Sequence, residues 1–375
     1  MFTRNHHSLT PFLKKGKVLI IYGPRQVGKT TLLENYLKTS PLKYRLESGE
    51  NIRIQNLLNS KDFTQILDFV SGYELIAIDE AQEIPEIGAA LKIITDQSPE
   101  TLIIATGSSS FELSQQVGEP LTGRKNTIIL YPIAQKELAQ DFNKHDLREK
   151  LNDFLIFGAY PEVLTAENRN EKIKVLSELV DSYLLRDIMS HERIRSPKVL
   201  VQLLKLLAFQ VGSQVSLNEL ATQLHVDMKT VERYLHLLEK SFVIKKFGGF
   251  SGNLRNEVTS KAKYYFLDNG MRNGLISQFN SLEDRNDAGA LFENFVIMER
   301  LKKHSYENFY GNHFFWRTYD GKEIDLIEEI DGKLSAFEIK LGLGKKVKVP
   351  KAWEKGYPNS TFTVINRENY LDYLL

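Results

Sequence analysis

The segment "VLIIYGPRQVGKTTLLENYLK", Val18 to Lys38, constrains the fold more than any other stretch of the chain. Five residues with no polar alternation predict a strand buried on both faces. A loop bounded by Gly23 and Gly28 follows, then Lys29, Thr30, Thr31 and an amphipathic helix pattern. Strand, glycine-flanked loop and helix in that order form a phosphate-binding P-loop. Inward-turned backbone N–H groups cradle phosphates there, and the helix N-terminus adds partial positive charge. Gly23, Pro24, Arg25, Gln26, Val27, Gly28, Lys29, Thr30 and Thr31 are therefore the expected ATP-binding residues. Lys29 would reach the β- and γ-phosphates, and the Thr30 hydroxyl would lie on Mg²⁺.

A P-loop needs an acid at the end of a neighbouring buried strand. "YELIAIDEAQ" supplies Asp79 for the magnesium shell and, one residue on, Glu80 as general base toward the attacking water. "TLIIATGSSS" is a further buried strand, whose Thr106 or Ser108 would bond the γ-phosphate or the water. Its serines would equally cap a helix over "SFELSQQ". In "LTGRKNTIILYPIAQKEL", Arg124 is a candidate catalytic arginine, acting in cis or on a neighbouring subunit, and Arg25 competes for that task. Strands are expected at Val18–Tyr22, Lys43–Leu46, Leu75–Ile78, Leu102–Ala105 and Thr127–Leu130, mostly separated by helical stretches such as "NIRIQNLLNSKDFTQILDFV". That alternation predicts an α/β fold, a parallel sheet covered on both faces. An extra strand between the P-loop strand and the acidic strand would mark the catalytic-glutamate class.

"GPRQVGKTTLL", "IDEAQ", "ATGSSS", "LTGR" and "FGAYPEVL" (Phe157–Leu164), in that order, resemble the bacterial and archaeal AAA+ ATPases that carry a C-terminal DUF4143 domain. The resemblance covers nearly the whole chain and implies an AAA+-like P-loop core that hydrolyses ATP. Thr106 and Ser108 depart from the commonest AAA+ pattern, which has Asn at the sensor position.

At 375 residues the chain exceeds one hydrophobic core. It divides by pattern into an ATPase core (1–142), a helical lid or connector (143–195), a winged-helix segment (196–280) and a terminal α/β segment (281–375). In the lid, Arg186 and His191 would face nucleotide or simply lie on the wet side of an amphipathic helix, the better reading. In the winged-helix segment, Ser216 caps the first helix and Lys229, Thr230 and Arg233 mark the exposed face of the second. The ribbon adds Lys245, Lys246, Arg255, Lys261 and Lys263; contact with DNA or RNA and a packing role both remain open. The terminal segment resembles the restriction-endonuclease-like fold, with helix Glu293, strand Asp325 and the pair Glu338 and Lys340 as a candidate metal-dependent nuclease site. Strand alternation puts Glu338 and Lys340 on one side, and a hairpin is expected at Asp331-Gly332. A salt-bridged strand pair would give the same pattern. Six lysines within residues 340–355 suit a nucleic-acid backbone or a solvated face.

Composition narrows the chemistry. With no cysteine, disulfides, thiolate metal sites and cysteine nucleophiles are excluded. The His6-His7 pair lies in a polar terminus and reads as solvated. With 49 basic and 48 acidic residues, net charge +1, nucleic-acid binding would need a local basic surface. No leader-like apolar region opens the chain and no run approaches about 18 apolar residues, so a cytoplasmic protein without a membrane span is expected. The first expectation for function is an ATPase acting on DNA through its later segments. The second is an ATP-gated switch that recognises DNA or a protein partner, as a monomer or a homo-oligomer, without nuclease activity.

Overall fold

The computed structural model describes residues 2–108, 120–182, 196–251, 261–307, 309–342 and 347–375. The expected helix over "SFELSQQ", and Arg186, His191, Arg255, Lys345 and Lys346, lie outside them. Two compact units emerge, Thr3–Pro132 with Lys240–Phe242, and Met1–Phe2 with Ile133–Glu239 and Val243–Leu375.

The first unit is a five-stranded sheet of β1 (Val18–Tyr22), β2 (Tyr44–Ser48), β3 (Leu75–Asp79), β4 (Leu102–Gly107) and β5 (Lys125–Ile129). Its order is β2-β3-β4-β1-β5 and every pairing is parallel. All five expected strands form, with ends shifted by a residue or two. β1 is buried along its whole length, as its unbroken apolar run requires. β4 lies between the P-loop strand β1 and the acidic strand β3, the arrangement of the catalytic-glutamate class. Helices α1 (Lys29–Thr39), α2 (Ile52–Asn59), α3 (Phe63–Val70) and α4 (Ile87–Gln97) alternate with the strands. The long helical pattern before β3 splits into α2 and α3 because Asp62 accepts from the Thr64 and Gln65 N–H groups and starts a new helix. Val18, Ile20, Ile76, Ile78, Ile103 and Ala105 meet Ile66, Phe69, Leu91 and Ile94 in one apolar cluster.

The second unit opens with short helices, then Pro197–Phe209, Leu217–Leu224 and Met228–Lys240. Ser216 caps the second of these through the Glu219 N–H. A seven-stranded sheet follows: β6 (Gln214–Val215), β7 (Ile244–Gly249), β8 (Ala262–Phe266), β9 (Asn312–Arg317), β10 (Glu323–Ile330), β11 (Lys333–Ile339) and β12 (Thr361–Ile365), in the order β12-β11-β10-β9-β7-β8-β6. β10 and β11 pair antiparallel across the turn at Asp331–Gly332. The two-stranded ribbon β7–β8 joins β9 through Gly248 and Gly249, so the ribbon and the terminal strands share one sheet. Trp316, Ile324, Ile327, Ala336 and Trp353 pack beneath it.

The motif Phe157–Leu164 has a packing reason. Gly158 sits at φ +74°, and a Cβ there would lie 2.0 Å from an Asp268 carboxylate oxygen. Asp268 accepts from the Ala159 N–H at 2.7 Å and caps the helix Asn269–Leu275. Among the described residues no helix is long and apolar enough to cross a membrane.

Candidate active site

The loop Gly23–Gly28 leaves the carboxyl end of β1 and delivers Lys29 as the first residue of α1. A Cβ at Gly23 would lie 2.1 Å from the Leu130 carbonyl oxygen, so the loop passes too close to the β5 exit for any side chain. Lys29 is buried and donates to the Gly23 and Pro24 carbonyls at 3.1 and 2.8 Å. Burial pulls its ammonium down to about 8, against the attraction of Glu80 and Asp79. Arg25 is exposed on the same loop, near enough for its charge to act on Lys29.

The acids arrive from the neighbouring strands. Thr30 Oγ1 donates to Asp79 Oδ2 at 2.7 Å, which places a hydroxyl and a carboxylate side by side. Hard oxygen donors of this kind suit Mg²⁺, which keeps most of its waters. Thr106, fully buried at the end of β4, donates to the other Asp79 oxygen and accepts the Glu80 N–H at 3.1 Å. Glu80 itself has φ +49° and ψ +45°, an uncommon backbone state for a non-glycine residue. Its carboxylate accepts from the Gln82 amide, which also reaches Ser108 Oγ at 3.3 Å and Glu83 at 3.4 Å. Lys29, Thr30, Asp79, Glu80, Thr106 and Ser108 are thus brought together.

Arg124 is not among them. It precedes β5, its carbonyl accepts the Val18 N–H at the start of β1, and its Nε binds Asp96 at 2.7 Å. The P-loop leaves the opposite end of that strand, about 16 Å away at 3.3 Å per residue. A cis role at its own phosphate loop is excluded by this position.

In the second unit, Glu293, Asp325, Glu338 and Lys340 also converge. Lys340 Nζ lies 2.7 Å from Glu338 Oε1 and 3.3 Å from Asp325 Oδ2, so the Glu338 and Lys340 side chains do share a side. Asp325 Oδ2 also accepts the Ile339 N–H at 2.7 Å. Glu293 accepts from Tyr265 Oη at 2.7 Å and pairs with Lys263 at 3.3 Å; burial and the nearby Asp325 push it up to about 7. Burial and Asp325 raise Glu338 as well. For Lys263, where nucleic-acid contact and packing were both open, the packing role is the one seen: it is 1% exposed and pairs with Glu293 and Glu323. The alternation of "KAKYYF" carried that signal, since Lys263 and Tyr265 share a face of a wholly buried strand. Gln82 was also missed, although it ends "IDEAQ"; its bond to Ser108 spans 26 residues and leaves no local trace.

His304, His313 and Glu328 form a third polar group. Arg300 clamps both Glu328 oxygens at 2.6 Å, and His304 Nδ1 and His313 Nε2 are hydrogen-bonded at 2.8 Å. These atoms satisfy one another, and a guanidinium at the carboxylate disfavours a cation there.

Strand order, loop and acid pair define the first unit as a P-loop ATPase fold of the catalytic-glutamate class. Residues 15–139 match a family described as an AAA domain, and residues 288–370 match a domain of unknown function, DUF4143. Residues 148–282 match another domain of unknown function, DUF8612. The make-up of the chain is that of an AAA-like ATPase with a C-terminal DUF4143 domain. An uncharacterized protein of Haemophilus influenzae is 29% identical over 370 residues, spanning 90% of this chain and 88% of its own. One of Mycobacterium tuberculosis is 28% identical over 333 residues, spanning 88% of this chain and 71% of its own. Among solved structures, a Walker-type ATPase of Pyrococcus abyssi aligns with a TM-score of 0.45 at 16% identity, covering 69% of this chain and 91% of that one.

Proposed function

We propose that the chain binds ATP with Mg²⁺ on the loop Gly23–Thr31 and hydrolyses it, and that its nucleotide state governs the action of the second unit on DNA. Bound there, Mg²⁺ would neutralise charge on the β- and γ-phosphates, held by Thr30 and Asp79. Lys29 gives up the Gly23 and Pro24 carbonyls for phosphate oxygens. Glu80 orients a water whose oxygen attacks the γ-phosphorus; the bond to the β–γ bridging oxygen breaks, ADP leaves, and the water proton passes to the Glu80 carboxylate. The observation that carries this reading is the bonded series Thr30, Asp79, Thr106 and Glu80 beside the loop. Arg25, on the loop itself, would stabilise charge in cis, and Arg124 would serve only the site of a neighbouring copy in a homo-oligomer. The absence of cysteine suits a cytoplasmic location. Lys29→Ala should abolish ATP binding by calorimetry, while Glu80→Gln should keep binding and lose turnover. Unchanged turnover in both would refute these roles.

For the second unit, Glu293, Asp325, Glu338 and Lys340 support a metal-dependent nuclease on DNA, with the helix Met228–Lys240 and ribbon β7–β8 as a winged-helix DNA contact. A second reading, an ATP-gated switch that recognises DNA or a protein partner without cutting, is favoured by Lys263 and Lys340, which already neutralise part of the acid cluster. Nicking of supercoiled DNA with Mn²⁺ that Asp325→Ala abolishes, at unchanged ATP turnover, supports the first. Intact DNA throughout supports the second.

A further inference from the structure

We infer that Gln82 is the positioning residue of the hydrolytic site, holding Glu80 on an amide that is itself seated on Ser108. This rests on the ATPase reading above and adds the element that fixes the base. Glu80 is held at two points. Thr106 Oγ1 accepts its N–H, which anchors a backbone in the left-handed region, and the Gln82 amide donates to its Oε2, which anchors the carboxylate. A base fixed at both ends pays little orientational cost when water arrives. Gln82 is 6% exposed and Ser108 5%, so their hydrogen bonds meet little competition from water.

The far end of the chain of bonds is placed to report on the loop. Gly107 pairs with Tyr22, so Ser108 follows beside Gly23 at the mouth of the phosphate-binding loop. Ser108 Oγ accepts from Gln82, which leaves its O–H to donate to a phosphate oxygen. The tip of β4 therefore touches both acids: Thr106 reaches Asp79 and Ser108 reaches Glu80 through Gln82. The bond to the Glu80 carboxylate is the route by which Gln82 acts on hydrolysis, and that fixes the form of the test.

Gln82→Met keeps the side-chain length and removes the donor; Gln82→Glu keeps the shape and opposes a carboxylate to Glu80. Each should lower the single-turnover hydrolysis rate roughly tenfold to a hundredfold, as loss of one hydrogen bond to a charged group implies. ATP affinity, measured by calorimetry, should stay within about twofold. Ser108→Ala should lower the rate by a smaller factor. The decisive measurement is the double variant: Glu80→Gln with Gln82→Met should hydrolyse at the rate of Glu80→Gln alone. A further drop equal to that of the single Gln82→Met variant would show that Gln82 acts independently of Glu80 and overturn the inference. So would wild-type turnover in both Gln82 variants beside an inactive Glu80→Gln. Full turnover in Glu80→Gln would instead refute the base assignment, and the inference with it.

Discussion

At the scale of single residues, Thr106 shows how far one hydroxyl can matter. It donates to Asp79 and accepts from the backbone of Glu80, so it joins the metal-shell acid to the base while fully buried. Thr106→Val keeps the shape and strands both partners. The expected result is a turnover loss of roughly tenfold to a hundredfold, because an unmet buried hydrogen bond to a charged group costs about 1.5–3 kcal/mol. Steady-state rates with saturating ATP check this, and a wild-type rate would mean that the bridge is dispensable. Lys29, Thr30, Asp79 and Glu80 were legible in sequence because each lies at a strand end or helix start that local pattern marks. Arg124 was legible too and was misjudged, because a residue that precedes a parallel strand stands at the end opposite to a loop that leaves the carboxyl edge. Its position before β5 settles that it stands at the amino edge of the sheet.

At the scale of elements, the existence and parallel sense of the first five strands followed from the alternation of apolar runs and helical patterns, whereas their order and the pairing of β6–β12 did not. Hydrophobic period reveals β7, β8 and β11 but runs β9 and β10 together as one strand ending near Asp325, and the pairing of β7 with β9 rests on two residues, Gly248 and Gly249, that no local signal announces. Where the helix Ala288–Tyr306 meets β9 and β10, two neutral imidazoles are built in. Burial pulls His304 down to about 4, with Arg300 and Lys303 adding to the shift and Glu307 opposing it. Burial does the same to His313, where Glu328 opposes and His304, Arg300 and Lys245 assist. Both values lie below the ordinary 6.5, so stability from these groups is intact above that pH and is lost as pH falls toward 4. Glu293, pushed up to about 7, binds its proton in the folded state and works in the opposite sense over the same range. The clean measurement is therefore a difference. Between pH 7 and 5 the urea stability of the wild-type chain should fall more steeply than that of His313→Gln, by up to one proton per molecule. Parallel pH dependences for the two proteins would show that His313 is not held neutral by the fold.

At the scale of the whole molecule, 49 basic and 48 acidic residues leave no general field to draw in DNA, so any such binding must be local. Lys263, which the sequence left open between nucleic-acid contact and packing, is withdrawn into the acid cluster, and Lys245 is paired with Glu239 at 3.0 Å. Outward on the helix Met228–Lys240 are Lys229 and Arg233, four residues apart on one face, with Glu232 beside them and Lys240 at the helix end. Two cations on one helical face can neutralise two phosphates, and each contact contributes about −0.9 to the slope of log affinity against log salt on duplex DNA. If this helix is the DNA contact, reversing both charges in Lys229→Glu with Arg233→Glu should make that slope shallower by about 1.8 and weaken binding across sequences alike. Fluorescence anisotropy with a labelled duplex at several salt concentrations reads both quantities. An unchanged slope would remove this helix from the nucleic-acid surface and shift the expected contact to the exposed ribbon lysines Lys246 and Lys261, whose reversal to glutamate would then be the next measurement.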